Sequence, residues 1–135
     1  MSSTARSRAL QAMAVAFALL GGCAEAPKAP PPSGLAELME QPAERALLDG
    51  IRAYDDGQYA LSETRLRSAL QLGLASPRDQ ATAHKLLAFI TCTSDRLDAC
   101  RDEFRAARSA DAGFALSKSE AGHPLWGPVY RAADQ

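Results

Sequence analysis

The sequence predicts an all-α fold: two helical hairpins closed by a C-terminal capping segment. Three observations carry that prediction. Small and apolar residues recur three and four positions apart from residue 42 to residue 111, as one face of a helix requires. Prolines and glycines punctuate this region at helical lengths. The two stretches they delimit, about 42–73 and 76–111, bear matching residues in matching order.

Ahead of this domain the chain has another character. Arg6 and Arg8 precede a nearly unbroken apolar run over residues 9–20, the layout of a secretory signal and too short to span a membrane comfortably. Leu20, Gly21, Gly22 and Cys23 resemble a bacterial lipobox. That resemblance implies removal of residues 1–22, a thioether-linked diacylglycerol on the Cys23 sulfur and an acylated new N-terminus. Ala24 stands where Asp does not, which resembles lipoproteins sorted to the outer membrane. Residues 23–34 contain Pro27, Pro30, Pro31 and Pro32 among small residues, so they favour extended conformers and have little to bury. They predict a disordered tether between the lipid and a domain over residues 35–135. Residues 35–39 add at most one helical turn.

The helices follow in order. Pro42 suits a first helical position, and Ala46, Gly50 and Ala53 line one side of the helix that Gly57 ends. A second helix starts near Tyr59, turns Leu61, Ser62, Leu66, Ala69 and Leu70 inward, and stops at Gly73. The second hairpin opens with Ser76, Pro77 and Asp79: a hydroxyl to accept from first-turn amides, a residue with no donor to lose, and a carboxylate at the positive helix end. Leu86, Leu87, Ala88 and Ile90 lead to Cys92. After a turn over residues 93–95, Leu97, Cys100, Phe104 and Ala107 recur at helical spacing. In the cap, about 112–135, Ser117 and Glu120 have capping-box spacing and Pro128 starts a last turn. Phe114, Leu116, Leu125, Trp126, Val129 and Tyr130 give the cap an apolar surface that must pack on something.

In the first hairpin Gly50, Ser62, Leu66 and Ala69, and in the second Ala88, Cys100, Phe104 and Ala107, resemble the small and large positions of tetratricopeptide repeats. The family's Trp and Tyr positions hold Ala46 and Ala53, then His84 and Thr91, and its closing Pro is missing from both units. The step from Ser62 to Cys100 also exceeds the family's repeat of about 34 residues, which puts the extra residues around 73–80. The resemblance implies a groove lined by the first helix of each pair. Its positions here are Leu47, Ile51 and Tyr54 with Glu44 and Asp55 at the edge, then Lys85 and Phe89 with Thr82, Cys92 and Thr93; Leu47, Ile51 and Phe89 either face a partner or are covered by residues 35–39 or by the cap. Two repeats are fewer than the roughly three that bury a continuous core, so the cap is expected to cover the open end. Trp126 and Tyr130 are the cap residues best suited to touch a partner instead.

With Cys23 committed to lipid, Cys92 and Cys100 remain. An antiparallel hairpin brings their α-carbons to the roughly 5–6 Å that a disulfide needs, and an oxidising periplasm favours the bond. Other chemistry is thin. His84 and His123 are the only histidines, neither has metal-ligand spacing, and no serine elbow or phosphate loop is present, so no catalytic residue and no metal are assigned. Beyond the signal the chain has 13 basic and 16 acidic residues, interleaved, which argues against nucleic acid as a partner.

The expected function is a lipid-anchored interaction module of the outer membrane, facing the periplasm, with an envelope protein as its partner. It has no small-molecule substrate and no cofactor beyond the lipid on Cys23. The plan, with paired cysteines at a hairpin and the terminal FALSKSEAGHPLWGPVY, resembles small lipoproteins associated with type VI secretion. A pilotin-like lipoprotein that escorts a secretin subunit is the alternative within that class. A regulator or enzyme of the cell wall is the alternative outside it, and would need His123 and Glu120 to converge with aspartates in a deep pocket.

Overall fold

A computed structural model of the chain describes Gly34 and residues 41–133. The chain divides into units Met1–Pro30 and Pro31–Gln135, and all described residues belong to the second. Cys23, the signal, residues 35–39 and all of the tether except Gly34 lie outside them. Among the described residues the fold is all-α: α1 Pro42–Asp55, α2 Tyr59–Leu72, α3 Pro77–Thr93, α4 Leu97–Ala110, and two short helices, α5 Lys118–Ala121 and α6 Gly127–Ala132. α1 pairs with α2 and α3 with α4, and α3 also packs on α2.

The two hairpins repeat with a fixed offset. Moved 38 residues along the chain, α2 falls on α4 and the end of α1 on the end of α3. The turns share one backbone pattern. In the first, the amides of Asp56, Gly57 and Gln58 donate to the carbonyls of Arg52, Tyr54 and Ala53; in the second, those of Ser94, Asp95 and Arg96 donate to Ile90, Cys92 and Thr91. Gly57 at φ +73° and Asp95 at φ +59° take the left-handed conformation that this turn demands. The residues expected as extra divide between two places. Those at 73–76 form the loop, while 77–80 become the opening turn of α3, started by Pro77 and capped by the Ser76 hydroxyl, which accepts from the Asp79 amide.

Burial repeats in the same register. Ser62, Leu66 and Ala69 are fully buried, and so are Cys100, Phe104 and Ala107. Covering Leu66 and Phe104 stabilises the fold by about 1.5–3 kcal/mol each. Gly50 lets α1 and α2 approach closely: a methyl group there would lie 2.8 Å from Leu66 Cγ and Cδ2. The Ser62 hydroxyl uses that proximity to donate to the Gly50 carbonyl at 2.8 Å.

Cys92 and Cys100 form a disulfide, with α-carbons 5.1 Å apart, that ties the end of α3 to the start of α4. Part of the interleaved charge forms a cross-link between helices. Arg96 grips Glu63 through both nitrogens at 2.7 and 3.0 Å, Arg67 joins Glu63 to Glu103, and Glu103 lies 2.7 Å from His84 Nδ1. This chain of polar contacts joins α2, α3, α4 and the turn before α4.

Candidate partner-binding face

The predicted groove positions lie along α1 and α3, but the face is not an open trough. Leu47 is 6% exposed and Phe89 4%, so both belong to the core. Ile51 and Tyr54 are half-buried and pack against it. Of the edge positions, Glu44 is buried, Cys92 is buried in the disulfide, and Asp55 and Thr93 are exposed. The sequence leaves open whether the groove is exposed or covered, and at Phe89 the chain's own cap covers it.

The cap reaches its seat by local rules. Asp111 Oδ1 accepts from the Gly113 amide and turns the chain out of α4. Ser117 and Glu120 complete the predicted capping box: the Glu120 amide donates to the Ser117 hydroxyl, and the Ser117 amide donates to Glu120 Oε2. That leaves Glu120 Oε1 free to accept from Lys85 Nζ at 2.8 Å. Burial pushes the Glu120 carboxyl up, but Lys85 and the two Ser117 donors together hold it below its ordinary value. Tyr54 faces the same region. Burial, followed by Tyr59, Asp55 and Glu120, pushes its phenol above its ordinary value.

Aromatic packing seats the rest. The Trp126 ring stacks on Phe89 with centroids 4.3 Å apart, and His123 stacks on Trp126 at 3.4 Å. Trp126 Nε1 donates to the Glu120 carbonyl, which satisfies the one polar atom of the indole. Tyr130 meets Phe104 edge-on at 5.2 Å, and its hydroxyl accepts from the Leu116 amide. Arg108 lies 4.3 Å from the Tyr130 ring centre and donates to the Tyr130 carbonyl. Trp126 and Tyr130 thus pack on the chain's own second hairpin, as expected of a cap, and are not left free as the alternative partner contacts.

Among the described residues, the edge of α1 holds half-buried Ile51 and Tyr54 and exposed Asp55, beside the exposed Tyr59 ring, which meets Tyr54 edge-on at 5.4 Å. A separate cavity of about 430 Å³ lies between the first turns of α3 and the link into the cap, lined by Arg78, Thr82, Lys85, Asp111 and Phe114. His123 and Glu120 do not line it: one lies on Trp126 and the other is bonded to Lys85 and Ser117. Sequence reasoning missed the Lys85–Glu120 pair because its members stand 35 residues apart. The capping-box spacing, which placed one carboxylate oxygen and left the other available, was the signal that could have found it.

No protein-family model matches the chain, and comparison with curated proteins and with solved structures gives no significant match.

Proposed function

We propose that this chain is a lipid-anchored protein-interaction module of a bacterial envelope assembly, on the pattern of the small type VI secretion lipoproteins that its plan resembles. It sits in the outer membrane facing the periplasm and turns over no substrate. The observation that carries this reading is the 38-residue repeat of helices, turns and buried positions, in the register of the tetratricopeptide-like pattern. Paired helices stacked in this way leave the first helix of each pair to face a ligand. The Cys92–Cys100 disulfide supports an oxidising compartment.

The partner contact falls on Ile51, Tyr54 and Asp55. A pull-down from detergent-solubilised envelope tests it, with the wild-type chain beside an Ile51→Ser, Tyr54→Ala variant. A secretion-system component recovered with the wild type, and at least tenfold less with the variant, is the expected result. Equal recovery moves the contact off α1, and no specific component from either chain overturns the reading.

A further inference from the structure

The cavity between the first turns of α3 and the link into the cap carries opposite charges on its two walls. Arg78 and Lys85 lie on one face of α3, while Asp111 stands across from them where α4 gives way to the link. The helix ends add to this polarity. Arg78 is in the first turn of α3, the positive end of that helix, and Asp111 is the C-cap of α4, its negative end. Lys85 already has a counter-charge in Glu120 at 2.8 Å. Among the described residues, no carboxylate pairs with Arg78 and no cation pairs with Asp111.

Local contacts hold the walls in shape. Asp111 Oδ1 accepts from the Gly113 amide at 2.9 Å, which orients the carboxylate and leaves Oδ2 available as an acceptor. The Thr82 hydroxyl donates to the Arg78 carbonyl at 2.9 Å and keeps its own lone pairs. Phe114 supplies an apolar wall, its ring held edge-on to Tyr130 with centroids 6.4 Å apart. At about 430 Å³ the space falls within the range of small-molecule sites, roughly 300–1,000 Å³.

We propose that this cavity binds a small zwitterion, an amino acid or short peptide with both ends free, whose carboxylate meets Arg78, whose ammonium meets Asp111 and whose apolar body lies along Phe114. A guanidinium donates to both oxygens of a carboxylate, so Arg78 suits that end in shape as well as in charge. A ligand with one charge leaves Arg78 or Asp111 unmatched, and a ligand with two like charges is repelled by one wall. Matched opposite charges therefore set the selectivity. Arg78 is exposed and Asp111 half-buried, so water screens both pairs and the affinity is of the order of 1 mM. The site is separate from the partner contact on α1, and neither depends on the other.

The test follows the backbone amide resonances of the full isotope-labelled chain in detergent as dialanine is added. Saturable shifts at Thr82, Gly113 and Ala115 are expected, with a midpoint of the order of 1 mM. N-acetyl-dialanine, which lacks the ammonium, and dialanine amide, which lacks the carboxylate, should each bind more weakly by about threefold or more. Two variants assign the ends. Arg78→Gln should weaken dialanine by a similar factor and leave dialanine amide unchanged. Asp111→Asn, which keeps an oxygen for the Gly113 amide, should weaken dialanine and leave the acetylated form unchanged. Both substitutions are at positions outside the core, so the fold is retained. The proposal is overturned by the lack of any saturable shift at these amides up to about 20 mM, by equal binding of the three compounds, or by variants that bind all three as the wild type does.

Discussion

Gly50 sets how closely the first two helices approach, and its effect should be measurable. An alanine there places a methyl group 2.8 Å from Leu66, which is fully buried. Overpacking costs about 1–3 kcal/mol, and the better helix propensity of Ala offsets up to about 1 kcal/mol of it. Gly50→Ala should therefore destabilise the domain by up to about 2 kcal/mol, read as a lower urea midpoint with unchanged slope. A raised midpoint would mean that propensity outweighs the contact. Glu63 offers a second test. Hydrogen bonding from Arg96, against partial burial and with help from Arg67, lowers its carboxyl from 4.5 to about 2. Because the folded value lies below the unfolded one, its stabilisation is complete above about pH 4.5 and is lost as the pH falls toward about 2. The side chains of Arg96 and Arg67 are 44% and 43% exposed, so screening by water leaves about 1 kcal/mol. Glu63→Gln should lower stability by that amount at pH 7 and flatten its pH dependence between 4.5 and 2. Melting curves across that range, repeated in 1 M salt, check both the size and the screening.

At the scale of elements, the second hairpin is closed twice, by its turn and by the disulfide. The cysteines are eight residues apart, and removing that cross-link frees the unfolded chain by about 2.5 kcal/mol in the loop-entropy account. Reduction should therefore lower the melting temperature by at least as much as Gly50→Ala does. Cys92 and Cys100 are buried, so the reductant should act only as the hairpin opens, and thiol labelling should follow the unfolding curve. An unchanged melting temperature after verified reduction would show that the turn alone holds the pair. This hairpin also shows what a sequence makes legible. Its start at Ser76 and Pro77, its buried stripe of Cys100, Phe104 and Ala107, and its disulfide follow from neighbours within a few residues or one turn away. The Arg96–Glu63 pair and the Lys85–Glu120 pair do not. Their members are 33 and 35 residues apart, and a charged side chain at helical spacing looks the same whether it faces water or another helix. The seating of Trp126 on Phe89 was hidden for the same reason: an aromatic residue in a tail announces that it packs, not where.

For the whole molecule, the proposed function requires an attachment to a membrane. Among the described residues no helix is long and apolar enough to cross one, so in the proposed function attachment rests on Cys23. Each acyl methylene buried in lipid contributes about 0.8 kcal/mol, and a diacylglycerol with an added acyl chain holds far more firmly than a single myristoyl group. Partitioning should then be close to all-or-none. In the proposed function the Pro-rich residues 23–34 are the tether, and a proline-rich segment of that length spans at most a few tens of ångströms at about 3.1 Å per residue. In a Gram-negative host fed an alkyne-labelled palmitate, the wild-type chain should take up label and enter the detergent phase of a Triton X-114 separation. Cys23→Ser should stay unlabelled and enter the aqueous phase, with the Cys92–Cys100 bond intact in both. The control matters because Cys92 and Cys100 are the other sulfurs that could carry an acyl group, and their pairing leaves neither available. A Cys23→Ser chain that still enters the detergent phase would place attachment elsewhere, and the lipoprotein reading would fall while the helical domain, with its capped seat, stands.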